Sequence, residues 1–201
     1  LSDESKDCII IDPGCYTDAE RITLKNYISD KGLNPVRLIN THCHIDHVFG
    51  NRFISETYNL PLEIHEGEIP VLESLAMVAQ MYGIPDVQQS PDPDPDKFIR
   101  EGDVIEFGNS KLEVLFTPGH SPASVSFYNR EDKFLIGGDV LFEGSIGRTD
   151  LPGGDYDTLM QSIRDKFMPL PDEVTVYSGH GNPTTIGRER RSNQFILSYS
   201  S

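Results

Sequence analysis

Cysteine is scarce. The 201 residues hold three, Cys8, Cys15 and Cys43, with no CxxC pair among them. An odd, scattered set supports neither a disulfide framework nor a thiolate zinc site, and it fits a reducing compartment. Cys43 reads as a small apolar filler rather than a reactive thiol. Long apolar runs are missing too: none approaches the roughly 20 residues that a membrane span needs. Residues 1–12, LSDESKDCIIID, lack the basic start and apolar stretch of a secretory signal. Cytoplasm is the expected location, with no membrane partner. Positive charge is also short, with 17 Lys and Arg against 32 Asp and Glu and a net charge of -15. That field repels phosphate backbones, and no basic stripe with interleaved aromatics offsets it, so no nucleic-acid partner is expected.

What remains is an ordinary globular profile, 37% hydrophobic and 24% charged, with 17 Gly and 14 Pro marking many turns. The length fits a single domain over 1–201 with a sizeable core. Short β-branched runs predict strands near 8–12, 36–40, 111–117, 124–129, 133–139 and 173–179. Helical periodicity is expected near 18–29, 46–57, 68–82 and 155–167. The SPDPDPDK stretch, 90–97, reads as a surface connection that closes a helical insertion at about 66–98. Strands follow one another closely from 103 to 139, so purely parallel sheets are not expected. Two packed sheets with helices outside both fit better. A pairing strand for 8–12 is expected ahead of Leu1.

Against this background one stretch stands apart. THCHIDHVFGN, Thr41 to Asn51, puts His42, His44, Asp46 and His47 within six residues. With 6 His and 18 Asp in the chain, an H-x-H-x-D-H pattern has a chance frequency of about 5 in 10,000, the false-positive risk of the motif. It follows the apolar run VRLIN, where a strand ends and a loop opens. Neutral imidazole and carboxylate suit zinc, iron and manganese, and four such close groups are better divided between two metals than held by one. Further donors stand at the ends of later apolar runs: His120 in TPGHS, Asp139 in LIGGD and His180 in YSGHG. Gly beside each lets the backbone come close to a metal. His65, in LEIH, has no such setting and reads as a satisfied, partly buried histidine.

The set THCHIDH, TPGHS, GGD and SGHG resembles the metallo-β-lactamase superfamily. FEGSIGRTDLPGGD and GHGNPTTIGRE are similar to its glyoxalase II-like, or hydroxyacylglutathione hydrolase-like, members. The resemblance spans nearly the whole chain. It implies a mixed α/β fold, the four-layer αββα sandwich, with two divalent metal ions at one edge, zinc first and iron or manganese as alternatives. His42, His44 and His120 would hold one metal and Asp46, His47 and His180 the other, with Asp139 bridging. Asp12, in DPG, is assigned a structural place behind the site.

Two-metal chemistry implies a bridging hydroxide as nucleophile, made by lowering a water pKa of about 15.7 toward 7, with no Ser or Cys nucleophile required. Asp46 is the expected catalytic group besides its ligand role, orienting the hydroxide or moving its proton. The expected reaction is hydrolysis of a small-molecule thioester, acylglutathione-like, or of a related ester. Glyoxalase II proper continues into a C-terminal helical region that helps bind glutathione. This chain ends about 20 residues after His180, which places it with short, single-domain relatives and leaves the acyl and thiol groups open. Arg148, in IGRTD, is the expected substrate contact, with Asp150 or Asp155 as competing partners. Met77, Met81 and Tyr82 are weighed as pocket walls against helical core packing, which is preferred. GRERR, 187–191, reads as a solvated helix face. The alternatives are a mononuclear-iron persulfide dioxygenase and a lactonase of the same fold. A diiron electron-transfer protein of this fold has Glu where His44 stands, and a non-enzymatic module would have lost ligands.

Overall fold

A computed structural model describes residues 1–199. Two compact units are distinguished: residues 1–99 with 106–111, and residues 100–105 with 112–201.

In the first unit, strand β1 (Asp7–Ile11), helix α1 (Asp18–Lys31) and strand β2 (Asn34–Ile39) form a βαβ unit, and β3 (Leu62–Glu63) pairs beyond β2. Both pairings are parallel. The 22-residue crossover between β1 and β2 is long enough to carry a helix, whereas the closely spaced strands of 103–139, for which purely parallel pairing is not expected, pair in antiparallel sense. Helix α1 begins with a reciprocal cap: Thr17 Oγ1 accepts the Glu20 N–H and the Glu20 carboxylate accepts the Thr17 N–H. It ends at Gly32, whose φ of 61° suits a residue without Cβ. Ser2 forms an antiparallel bridge with Cys8 on the outer side of β1.

The helix expected over 46–57 is two helices, α2 (Ile45–Val48) and α3 (Asn51–Tyr58). Gly50 separates them, because a Cβ there would lie 2.4 Å from Cys15 Sγ and 2.5 Å from the Pro13 carbonyl. The expected 68–82 helix is likewise divided. A 3₁₀ turn at Glu66–Glu68 leads into α4 (Ile69–Glu73), and α5 (Leu75–Tyr82) follows after Ser74 and packs against α2. The SPDPDPDK segment does more than connect: Pro93 bridges Leu62 and the Asp94 N–H donates to the Leu62 carbonyl, extending the sheet edge. This unit's core gathers Ile10, Ile28, Leu38, Cys43, Val48, Ile54, Leu62 and Ile64.

The second sheet has six strands in the order β11-β10-β7-β6-β5-β4. They are β4 (Val104–Phe107), β5 (Ser110–Phe116), β6 (Val125–Asn129), β7 (Phe134–Gly138), β10 (Thr175–Ser178) and β11 (Thr184–Thr185), with a separate hairpin of β8 (Leu141–Phe142) and β9 (Ser145–Ile146). β6 is buried at all five positions, as a central strand should be. β5, β6 and β7 are antiparallel in turn, while β10 joins β7 in parallel. Helix α6 (Tyr156–Ser162) widens into a π-helical turn at Ile163–Phe167, and α7 (Ile186–Ser192) and α8 (Gln194–Tyr199) close the described chain. A second core collects Leu135, Val140, Leu159, Ile163, Phe167, Val176 and Ile186. Each such side chain, fully buried, contributes roughly 1.5–3 kcal/mol.

No helix among the described residues is long and apolar enough to cross a membrane.

Candidate functional site

Because β1, β2 and β3 are parallel, the segments that follow them emerge on one edge of the first sheet. After β1 comes Asp12, with a φ of 48° that Asp tolerates better than most residues. One oxygen of its carboxylate accepts the Thr41 N–H at 2.7 Å and the Asn40 amide at 3.2 Å. The other accepts the Thr41 hydroxyl at 2.5 Å and lies 3.2 Å from His47 Nδ1. After β2 comes the histidine loop, with His44 at the N-cap of α2 and Asp46 and His47 inside it. His42 and His47 are buried, His44 is half-buried, and the Asp46 side chain is 46% exposed. The His42 ring stands 4.8 Å from that of His44, edge-on, and 4.0 Å from that of His47. Asp46 Oδ2 is 3.8 Å from His47 Nε2. Asp12, His42 and His47 each bring one ligand atom within 4.8 Å of the others.

In the second unit, β5 and β7 run in the same direction with β6 between them, and β10 lies parallel to β7. Their C-terminal ends therefore share an edge and deliver His120, Asp139 and His180 together. His120 Nε2 and His180 Nε2 each lie 3.6 Å from Asp139 Oδ2. His120 and Asp139 are buried, whereas the His180 side chain is 56% exposed. Gly147 makes this packing feasible: a Cβ would sit 1.8 Å from the Asp139 carbonyl oxygen and 3.2 Å from His120 Nδ1.

The tautomers follow from the hydrogen bonds. The Thr41 hydroxyl gives its proton to Asp12, so toward His42 Nδ1, 3.0 Å away, it can only accept. His47 Nδ1 faces the Asp12 carboxylate, and His120 Nδ1 faces the Arg148 carbonyl at 2.8 Å. Each of the three rings thus turns Nδ1 to an oxygen acceptor, which in the neutral imidazole leaves Nε2 as the ligand atom. Metal-ligating histidines are held in this way, by an oxygen acceptor behind the ring. Two ligand atoms at about 2.05 Å from one tetrahedral ion stand roughly 3.3 Å apart, close to the 3.6–3.8 Å spacings within each donor set. The chemistry of the donors fits divalent zinc, iron or manganese.

Residues 3–180 match the model of the metallo-β-lactamase superfamily. The chain belongs to that superfamily. Its fold class is the superfamily's, mixed α and β with helices packed around sheets, and the protein is one of its hydrolases. It is 40% identical to the hydroxyacylglutathione hydrolase GloC of Haemophilus influenzae over 98% of this chain and 91% of that protein. The BLEG-1 B3 metallo-β-lactamase structure matches with a TM-score of 0.87 and 36% identity over 98% of this chain and 91% of that one. TTHA1623, in a di-iron-bound form, matches with a TM-score of 0.83 and 37% identity over 93% of this chain and 88% of that one.

The Arg148 guanidinium forms a bidentate pair with Asp150, at 2.7 and 2.8 Å, and holds that carboxyl down to about 2. Asp155 instead caps α6 by accepting the Thr158 N–H. Met77, Met81 and Tyr82 do not pack in a core. They are 60%, 77% and 60% exposed, because Leu75 and Ala79 take the buried side of α5. The GRERR helix face is solvated at its arginines, which pair with Glu143 and Asp172, but Glu189 is completely buried. Cys43 is the filler expected, and burial pushes its thiol well up. Sequence reasoning missed the acceptors behind the rings other than Asp12: Thr41, legible as the hydroxyl next to His42, and the Arg148 carbonyl, which leaves no side-chain signal.

Proposed function

We propose that this superfamily hydrolase cleaves a small-molecule thioester, acylglutathione-like, with two divalent metal ions held by the two donor sets. His42, His44 and His120 would ligate one ion, Asp46, His47 and His180 the other, and Asp139 would bridge. The observation that carries the reading is the oxygen standing behind Nδ1 of His42, His47 and His120, which directs each Nε2 to the ligand role. Similarity to GloC supports the thioester, and the di-iron form of TTHA1623 supports two ions. Such a pair supplies Lewis acidity, acidifying water and polarising a carbonyl.

The chain's own residues do the rest. Asp12 fixes the His47 ring and the Thr41 hydroxyl, and through Thr41 the His42 ring. Asp46, the most exposed carboxylate of the set, would orient a water and hold its proton between attack and departure of the thiol. Arg148 would meet a substrate carboxylate by exchanging it for Asp150. β-Lactam hydrolysis is the second reading, supported by the likeness to BLEG-1.

Metal analysis of the purified protein, combined with a panel of acylglutathione thioesters, lactones and β-lactams, tests the proposal. Two equivalents of metal and metal-dependent thioester turnover are expected. Preferential β-lactam turnover would select the second reading. No metal uptake, and no hydrolysis after zinc, manganese or iron is supplied, would overturn both.

A further inference from the structure

We infer that Glu68 is a positioning residue for the histidine loop, setting the aim of His42 and His44 by holding the backbone between them. The inference rests on the reading of that loop as a metal-binding loop. Glu68 is 1% exposed, and its Oε2 accepts the Cys43 N–H at 2.9 Å, with both groups buried. A carboxylate removed from water is costly unless it is well hydrogen-bonded, and an apolar side chain of similar size would be a cheaper filler. Its place therefore calls for an account beyond packing.

The fold delivers Glu68 deliberately. β2 and β3 are parallel neighbours, so the chain leaving β3 emerges beside the histidine loop. There it turns at once: His65 Nδ1 accepts the Gly67 N–H at 3.0 Å, and the Glu68 N–H donates to the His65 carbonyl at 3.0 Å. The histidine without a place among the donors is thus the cap of the turn that carries Glu68. The turn brings the carboxylate to the peptide joining His42 to Cys43.

That peptide matters because of how the loop alternates. Cys43 packs into the apolar cluster with Val48, Ile54 and Ile64 while standing between the two histidines. Fixing the Cys43 N–H fixes the orientation of the peptide between the two, and with it the ψ of His42 and the φ of Cys43. Asp12 does the same one step earlier by holding the Thr41 N–H. Two carboxylates therefore pin alternate amides of the loop, and the imidazole between those amides is aimed by both. Partners behind a metal ligand typically affect metal affinity by 10–100-fold.

The test crosses reach against charge. Glu68→Gln keeps an oxygen at the same distance and removes the charge; Glu68→Asp keeps the charge and withdraws the oxygen by one methylene. Zinc affinity is read by competition with a chromophoric chelator, loop geometry by the visible spectrum of the cobalt(II)-loaded protein, and integrity of the fold by melting of the metal-free protein. E68D is expected to lose about tenfold or more in zinc affinity with an altered cobalt spectrum, and E68Q to stay within about threefold of wild type. Wild-type affinity in E68D, or a loss in E68Q as large as in E68D, overturns the role of Glu68 alone. Equal losses that track lower melting of the metal-free protein also overturn it, marking a merely structural residue. A wild-type protein that takes up no metal overturns this inference and the proposed function together.

Discussion

The Asp12 carboxylate lies 3.2 Å from His47 Nδ1 while the same oxygen accepts the Thr41 hydroxyl. One side chain, held at a positive φ just past β1, therefore governs two imidazoles of the next loop, His47 directly and His42 through Thr41. Asp12→Ala should weaken metal binding about 10–100-fold. Asp12→Asn should lie between, because its amide offers one acceptor where the carboxylate offers two. Chelator competition reads both, and equal affinity in wild type and D12A would sink this account.

Gly147 and Gly181 both neighbour proposed ligands but for different reasons. At Gly147 an added methyl meets the Asp139 carbonyl at 1.8 Å, so Gly147→Ala must move a rigid backbone. At Gly181 there is nothing within 4 Å, only a φ of 81°. G147A is expected to cost about 3 kcal/mol or more by overpacking, and G181A about 1 kcal/mol from the left-handed backbone alone. Thermal or denaturant unfolding of the two variants should rank them in that order.

Glu189 is the buried exception in a run of charges. Its carboxylate accepts the Thr184 hydroxyl at 2.5 Å, the Asn193 amide at 2.8 Å and the Gly144 N–H at 2.9 Å. Glu189→Ala leaves three donors to find new partners, at a cost of about 3 kcal/mol. A loss below about 1 kcal/mol in urea unfolding would mean that water replaces the carboxylate freely.

Asp3 gives the fold an acid-sensitive tie. The Ser5 hydroxyl, then the Asn109 and Ser5 amides and the Ser110 hydroxyl, hold its carboxyl down to about 2, from an ordinary 3.8. A lowered folded-state pKa means that the contribution is present above pH 3.8 and is lost as the pH falls toward 2. Melting temperatures of wild type and Asp3→Asn, followed from pH 5 to pH 2, should converge on the acid side. A gap independent of pH would contradict the assignment.

Much of this was legible in the residues. The strands at β1, β2, β5, β6, β7 and β10 announce themselves by β-branched runs; His120, Asp139 and His180 follow strand ends beside Gly, and His42, His44, Asp46 and His47 crowd the one loop after β2. The breaks were not legible. Gly50 and Ser74 interrupt helices whose apolar period continues across them, because the cause at Gly50 is contact with Cys15 and Pro13, far back in sequence. The short strands β3, β8, β9 and β11 have two residues each, too few for a period to show. Glu68 and Glu189 look like surface acids in sequence, since nothing local tells a buried carboxylate from a solvated one when its partners are backbone amides or distant side chains.

Cys43 stands between two donors and faces the apolar core, 1% exposed. A thiol reagent can reach it only when the histidine loop lifts away from that core. Its labelling rate, told apart from that of the half-buried Cys15 and of Cys8 by peptide mapping, is therefore a clock for opening of the loop in the wild-type sequence. Slower labelling on addition of metal would give the grip of the ligands in units of time.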